Sequence, residues 1–265
     1  MIETHSRAAF PTVRVTWFRE RPAWQGCFGF TEYKQCAAHD WQPGFVRQAF
    51  HTKVVSLDAT PEEIMAGFQP RTRSFVRQAE RQGVTAGVEE NRERFLATYN
   101  RFAAARALAP IRVGHALARP GGPTMVTKAM LGDRVLALRG YLVDPEAARV
   151  RNLVNCTIEQ PGDEPSTLKL LGAAHRFLVY ADMLRFRAEG FRSYDFGGYA
   201  LGTADPKLAN INRFKDSFGG RVVAEANYVS WPLHAVLAAR RLLRGRTDVQ
   251  STRLLHDGNG HDDKP

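Results

Sequence analysis

The alternation of apolar and polar side chains predicts strands near the start of the chain. Val13, Val15 and Trp17 alternate with polar residues, as in a strand that buries one face. The run KVVSL at 53–57 predicts a short buried strand, and the stretch between the two is irregular in pattern. We therefore expect residues 1–57 to be a β-rich part of the same domain as the rest of the chain.

Helix signals begin immediately after this part. Thr60 precedes Pro61 and two glutamates, which is the pattern of an N-cap followed by an acidic first turn. Gly83 follows a second helical stretch and is expected to end it. The elements predicted here are helices at 61–68, 71–82 and 91–107 and a strand at 84–89.

The second half of the chain predicts a mixed α/β sheet. Its predicted strands are 124–131, 134–143, 148–159, 192–196 and 221–231, and its predicted helices are 170–189, 206–218 and 232–246. Short turns join the first three strands into an antiparallel meander. The long helix then implies one parallel crossover to strand 192–196. Residues 247–265, rich in Gly, Asp and His, are expected to be a disordered tail.

Composition narrows the class of protein. The chain has 265 residues, of which 44% are hydrophobic and 24% charged, as in an ordinary globular protein. No apolar run reaches the length of a membrane-spanning helix, and the first residues lack the apolar core of a secretory signal. Three cysteines are too few and too scattered for a disulfide framework, and the eight histidines show no metal-binding spacing. We expect a reduced, cytoplasmic protein without a metal.

The charge is the first indication of partners. The 37 Lys and Arg residues outnumber the 27 Asp and Glu residues, which leaves a net charge of +10. Most of the excess lies in segments 71–82 and 232–246. Such a field favours nucleic acid, nucleotide phosphates or an anionic membrane as partners. The alternative interpretation of the positive charge is that a GC-rich genome encodes arginine often, without any polyanionic partner.

Three motifs together resemble one known family. They are GFRSYDFGG at 190–198, INRFKDSFGG at 211–220 and, upstream, Arg73-x-x-Val76-Arg77-x-Ala79 followed by Gly83-Val84. In this combination they resemble the FemABX aminoacyltransferases, and the element order resembles the N-acyltransferase fold of the GNAT type. The resemblance covers about residues 60–231. It implies one GNAT-like unit at 58–246, where the cell-wall enzymes of the family have two, so the acceptor is not carried over.

The resemblance implies catalytic residues. It places the functional lysine of the family at Lys215, whose ammonium would stabilise the tetrahedral oxyanion of acyl transfer. The alternative is a surface lysine on a helix that buries Phe214 and Phe218. Asp195, at the end of strand 192–196, would accept or position a proton of the attacking amine. Its alternative role is to cap the turn made with Gly197 and Gly198.

Other residues are candidates for binding the donor. Lys169 to Ala174, with Gly172, resembles the pyrophosphate loop that GNAT enzymes place at the start of the crossover helix. Arg73, Arg77 and Arg81 would share one helix face and contact phosphates, or else would form a solvated face. The remaining candidates flank the motifs and are Arg213, Phe214, Tyr194, Gly197 and Gly198, with Tyr194 also explained by packing.

The sequence therefore predicts an N-acyltransferase that moves an aminoacyl group from aminoacyl-tRNA to an amine. Transfer from acyl-CoA is the alternative, and a non-catalytic module that binds nucleic acid or anionic lipid is a second. Either donor would be a co-substrate, with no permanently bound cofactor. The arginines of segment 232–246 add the expectation of a peripheral membrane contact there.

Overall fold

The computed structural model describes residues 2–6, 12–112, 115–118 and 121–244. The predicted tail at 247–265 lies outside these residues, as does Arg246. The strands are β1 Ile2–Ser6, β2 Val13–Trp17, β3 Thr31–Cys36, β4 Phe45–Ser56, β5 Thr85–Val88, β6 Thr124–Leu131, β7 Arg134–Asp144, β8 Arg149–Thr157, β9 Ser193–Gly198 and β10 Arg221–Ser230. The helices are α1 Pro61–Ala66, α2 Pro70–Arg81, α3 Arg92–Ala105, α4 Pro165–Ala188, α5 Pro206–Asp216 and α6 Trp231–Arg244.

The N-terminal part contains more strand than the pattern predicts. The stretch that reads as irregular includes β3 and the first half of β4, and β1 lies before the first predicted strand. Thr60 closes a capping box with Glu63 at the start of α1, as its sequence predicts. The other predicted elements are present with shifted ends, and the largest shift is at the start of α4.

The ten strands of the described residues form one mixed sheet in the order β1-β2-β3-β10-β4-β9-β8-β7-β6-β5. β4 pairs antiparallel with β10 over ten residues and with β9 on its other side, so the N-terminal part lies within the sheet. The predicted parallel crossover joins β8 and β9 through α4. The expectation of a single parallel pair is wrong, because β2 and β3 also pair in parallel.

The sheet carries helices on both faces. Ala137 of β7 packs in a cluster with α2 and α4, whereas the next residue, Leu138, packs in a cluster with α3. Successive side chains of a strand point to opposite faces, which accounts for this division. The largest cluster lies under α4 and contains Phe186, Tyr194 and Phe196. Burying each of these side chains contributes on the order of 2 kcal/mol.

The sheet also curls, so that its first strands return to β7. Leu142 of β7 packs with Ile2, Val15 and Trp17, although β1 and β2 lie at the far end of the strand order. The guanidinium of Arg151 in β8 lies 4.9 Å from the ring centroid of Trp17. The curled face of the sheet therefore encloses side chains of β8 and β9 between the two ends.

Candidate functional site

Two parallel strands separate at the centre of the sheet. β8 and β9 pair at Arg149–Ser193, Val150–Tyr194 and Arg151–Asp195, and no further pair joins them within the described residues. β8 nevertheless continues to Thr157 and β9 to Gly198. Ligands of α/β proteins bind outside the carboxyl ends of parallel strands, where neighbouring strands or connections diverge. This opening is therefore a candidate ligand site.

Lys215 lies at the end of β9 beside this opening. Its side chain is buried, with the residue only 2% exposed, and Nζ donates a hydrogen bond to the carbonyl oxygen of Gly198. The side chain of Asn212 holds α5 in place, because it bonds both the N–H and the carbonyl of Ala200, at 3.1 and 2.8 Å. The alternative of a surface lysine is wrong.

Phe214 connects Lys215 to the crossover helix. Its ring is stacked on that of His175 in α4, with centroids 5.2 Å apart and planes within 7° of parallel. The guanidinium of Arg176 lies 5.5 Å from the same ring. Arg213 instead is exposed and bonds the side chain of Asn210, so of the two neighbours it is Phe214 that faces the interior.

A buried polar network lies beneath His175. Arg139 is fully buried, and its guanidinium lies 2.8 Å from both His175 Nε2 and the Tyr141 hydroxyl. The Tyr141 hydroxyl donates to Asp182 at 2.5 Å and lies 2.9 Å from that of Tyr194. Burial raises the pKa of Tyr194 to about 12, with the Arg139 charge opposing it. Tyr194 therefore packs and bonds inside the protein, as its packing interpretation predicts.

The unpaired part of β8 carries two polar atoms without partners. Asn152 Oδ1 and Thr157 Oγ1 are buried and accept or donate no hydrogen bond in the part of the chain that the structure describes. Buried polar atoms are almost always bonded, so each such atom calls for a partner. Both lie beyond the last pair with β9, at the opening that Lys215 borders.

Gly197 allows the two strands to approach at the mouth of the opening. Its φ is +79°, and a Cβ there would lie 3.2 Å from the carbonyl oxygen of Asn152. Glycine is therefore the residue that suits this position. Gly198 contributes through its carbonyl, which orients Lys215.

Asp195 faces the curled side of the sheet, where four groups donate to it. They are Gln35 Nε2 at 2.8 Å, Arg149 Nη2 at 2.6 Å, the Gly197 N–H at 2.7 Å and the Thr52 hydroxyl. Burial alone would raise its pKa, but the charges of Arg149 and Arg151 and these hydrogen bonds lower it below the usual value. The carboxylate is thus ionised and fully bonded, which favours its turn-capping role over that of a base.

Glu225 forms a second carboxylate beside Asp195. Gln35 Nε2 donates to both carboxylates at 2.8 Å, and Arg149 bonds both as well. Burial raises the pKa of Glu225, although the bond from Arg149 opposes the shift. Neighbouring carboxyl groups whose pKa values move in opposite directions are typical of acid–base sites. Sequence reasoning missed Glu225, Gln35 and Arg149, because they come from three strands that only the sheet order brings together.

Backbone strain marks the same cluster. Gln35 and Phe18 are not glycines, yet their φ values are +54° and +59°. Phe18 lies under the guanidinium of Arg149, with 4.6 Å between its centroid and Cζ. Residues in this left-handed region concentrate at functional sites, since surrounding structure must hold them there.

The predicted pyrophosphate loop does not form. α4 begins at Pro165 instead of about Leu170, so Lys169 and Gly172 lie inside the helix. Backbone N–H groups beyond the first turn bond carbonyls of the preceding turn and are not available to a phosphate. Lys169 is exposed, and the Gly172 carbonyl accepts a bond from Arg176 at 3.0 Å.

The predicted arginine stripe is also divided. The guanidinium of Arg73 donates to the carbonyl oxygens of Ala66 and Phe68, at the end of α1. The Arg73 side chain therefore stabilises the end of α1. This structural role differs from the phosphate contact that the helix face predicts. Arg77 and Arg81 are exposed on α2, where phosphate binding stays a prediction.

Comparisons with known proteins bear on the fold. No protein-family model and no curated protein sequence matches the chain. FemX has a TM-score of 0.57 at 13% identity, covering 76% of this chain and 67% of its own. The C-terminal DUF2156 domain of a protein assigned as a lysylphosphatidylglycerol synthetase from Agrobacterium fabrum has a TM-score of 0.54 at 14% identity, covering 94% and 85%. A GCN5-related N-acetyltransferase from Kribbella flavida has a TM-score of 0.41 at 14% identity, covering 85% and 84%. The predicted mixed α/β fold is confirmed, and FemX and the DUF2156 domain share it.

Proposed function

We propose that the protein is an N-acyltransferase that moves an aminoacyl group from aminoacyl-tRNA to an amine. The observation that carries the proposal is the position of Lys215. Its Nζ is buried and held by the Gly198 carbonyl, at the place where β8 and β9 separate. A cation fixed beside a reacting carbonyl stabilises the transition state by about 3 kcal/mol. The fold shared with FemX supports the same reaction class.

The proposed reaction is direct transfer. The amine nitrogen attacks the ester carbonyl carbon of the donor, and a new C–N bond forms. The carbonyl oxygen becomes an oxyanion, which the protonated Lys215 stabilises. Collapse breaks the C–O bond to the tRNA, whose 3′-terminal oxygen takes up a proton, while the amine nitrogen loses one. Lys215 remains protonated throughout.

Within this proposal the two carboxylates have different roles. Asp195 is a positioning residue, because it bonds the Gly197 N–H and so fixes the neighbouring carbonyl that orients Lys215. Glu225 is the better candidate to accept the proton of the amine, since burial raises its pKa, whereas that of Asp195 is lowered.

The donor is the second part of the proposal. The sequence suggests acyl-CoA only through a pyrophosphate loop at Lys169–Ala174. These residues lie inside the crossover helix α4, so they form no pyrophosphate site there. The net charge of +10 suits a polyanion such as tRNA. One observation favours acyl-CoA as the second candidate. Asn152 Oδ1 and Thr157 Oγ1, on the part of β8 beyond its last pair with β9, have no hydrogen-bond partner among the described residues. The amides of a thioester arm could bond there.

The test combines one variant with two donors. Lys215→Met keeps the length of the side chain and removes the charge, and we expect turnover to fall about a hundredfold or more. Unfolding temperature and circular dichroism of Lys215→Met would show that the fold is intact. Lys169→Met is the matched control and should keep full activity, because that side chain is exposed on α4.

Donor choice is read from thermal stabilisation. An aminoacylated minihelix should raise the unfolding temperature, and acetyl-CoA should not. A shift with acetyl-CoA alone would replace the proposed donor by the second candidate. Unchanged turnover in Lys215→Met would contradict the catalytic role itself. Binding of RNA without turnover of any acyl donor would support a non-catalytic module.

A further inference from the structure

Four large aromatic side chains stand out of one edge of the molecule. They are Trp24 and Phe28, in a short 3-10 helix, Trp41 in the loop before β4, and Trp231 at the start of α6. Their exposed fractions are 66, 74, 69 and 59%, which is high for side chains of this size. We call these four residues the aromatic edge. Nothing in the acyl-transfer site requires them.

Backbone contacts tie the segments of the aromatic edge together. The N–H of Trp231 donates to the Gly44 carbonyl at 3.0 Å, and the Tyr228 hydroxyl donates to the Asp40 carbonyl at 2.6 Å. A Cβ on Gly44 would lie 2.4 Å from the Cβ of Cys27, so the loop before β4 packs directly on the 3-10 helix. The four rings are therefore presented from one rigid base.

Packing within the protein does not account for these rings. Trp24 and Phe28 contact each other edge to face, with centroids 5.7 Å apart, while each remains largely in solvent. Exposing large aromatic side chains to water costs free energy, and a partner that covers them removes this cost. The edge thus has the properties of a binding surface.

Charge identifies the kind of partner. At the edge itself the charges balance, with Arg21 and Asp40 forming an ion pair at 3.5 Å. Positive charge lies to the side, at Arg47 on β4 and at Arg240 and Arg241 on α6. Aromatic side chains that enter the lipid interface, flanked by arginines that meet anionic headgroups, are typical of peripheral membrane proteins. A nucleic-acid surface would place the positive charge among the rings, with the rings free to stack face to face on bases.

We propose that the aromatic edge docks on a bilayer that contains anionic phospholipid, with α6 lying along the headgroups. Among the described residues, no helix combines the length and the apolar character that a bilayer span needs. The proposal extends the sequence-based expectation for segment 232–246 to a surface whose apolar part comes from elsewhere in the chain. It does not depend on the proposed acyl transfer.

Co-sedimentation with vesicles tests the proposal. The full chain should bind vesicles of phosphatidylcholine and phosphatidylglycerol, and bind phosphatidylcholine alone more weakly. The double variant Trp24→Ala/Phe28→Ala should lose about tenfold or more in affinity. Arg240→Ala/Arg241→Ala should weaken binding and make it less dependent on salt. Leu168→Ala is the control, since Leu168 is a 46% exposed apolar residue on α4 outside the edge.

The outcomes are distinct from those for catalysis. Absence of vesicle binding by the full chain would overturn the proposal, as would equal binding by the aromatic double variant with an intact fold by circular dichroism. Loss of tRNA binding in that variant, without vesicle binding by the parent chain, would assign the edge to nucleic acid. Activity on a soluble amine, measured alongside, should be unchanged in all these variants.

Discussion

At the residue scale, the two charged side chains that the motifs indicate are both buried, and their hydrogen-bond partners distinguish them. Lys215 keeps its ammonium beside an opening in the sheet, with the Gly198 carbonyl as partner. Asp195 lies behind the same opening, surrounded by donors. Four hydrogen-bond donors stabilise the ionised form of Asp195, so this carboxylate is a poor proton acceptor. The pKa of its neighbour Glu225 is raised, which makes Glu225 the better proton acceptor.

Glu225→Gln tests this difference between the carboxylates. We expect turnover to fall about tenfold or more. The rise of activity with pH, which reflects deprotonation of a general base, should disappear in this variant. Asp195→Asn should instead lower the unfolding temperature, because the Arg149 charge loses one of its two buried carboxylate partners. A pH–rate profile with an unchanged acid limb in Glu225→Gln would reject the assignment.

Asp182 predicts a pH dependence of stability. Burial raises its pKa from 3.8 to about 6, although bonds from Tyr141 and Thr127 and the Arg139 charge oppose the shift. A carboxyl group whose pKa is raised by folding contributes its full stability below its ordinary pKa, and that contribution is lost as the pH rises through about 6. Asp182→Asn removes the titration. The parent chain should therefore lose up to about 3 kcal/mol relative to this variant as pH rises from about 4 to 7. Urea unfolding at several pH values measures the difference, and a constant difference would contradict the prediction.

Sequence could identify Lys215 but not its surroundings. The motif places a lysine between two core phenylalanines, Phe214 and Phe218, and the helix carries it inward with them. The side chains that donate to Asp195 come from β3, β4 and β8. Neither spacing nor periodicity along one strand encodes which strands become neighbours. The acid cluster therefore required the structure.

At the element scale, the turn before β10 carries a sharp prediction. Gly220 has φ +75°, and a Cβ there would lie 2.3 Å from the carbonyl oxygen of Val54. Gly220→Ala should cost at least about 3 kcal/mol of unfolding free energy, from the left-handed backbone and the clash together. Gly83→Ala is the matched control. Its φ of +78° is similar but its surroundings are open, so about 1 kcal/mol is expected. Equal losses in chemical denaturation would show that the close approach to β4 has no effect.

The start of α4 illustrates why an element boundary can be missed. Its first turn, from Pro165, is polar or exposed, and the first buried residue of the helix is Leu171. Hydrophobic periodicity begins only where a helix meets the core, so it places the start too late. Pro165 at the first position was the available signal. The earlier start places Lys169 and Gly172 in the interior of the helix and not at its terminus.

The first half of β4 shows the same limitation for strands. Residues 47–49 are exposed in succession, which removes the alternation that identifies a half-buried strand. Pairing with β10 along the whole length determines this strand instead. Such pairing joins residues far apart in the chain, so local pattern could predict only the buried end near Val55.

At the scale of the whole molecule, the sheet predicts unfolding in one step. β4 lies between β9 and β10, and Trp17 of β2 packs against Leu142 of β7. In urea, tryptophan fluorescence and far-ultraviolet circular dichroism should therefore change with the same midpoint. The four tryptophans all lie in residues 17–41 or at Trp231, so fluorescence reports on the N-terminal part and its neighbour α6. An earlier fluorescence transition would indicate that residues 1–57 unfold separately.

The pairing of β4 with β10 also has a consequence for synthesis. The ribosome releases Phe45–Ser56 long before Arg221–Ser230, yet these two strands are neighbours in the finished sheet. During translation the backbone N–H and C=O groups of the early strand stay unpaired while the intervening chain is made. Strand edges with unpaired groups are prone to associate with the wrong partner. Nascent chains stalled before β10 emerges should accordingly be digested by protease along their whole N-terminal part, and protection should arrive abruptly once that last strand is free to insert.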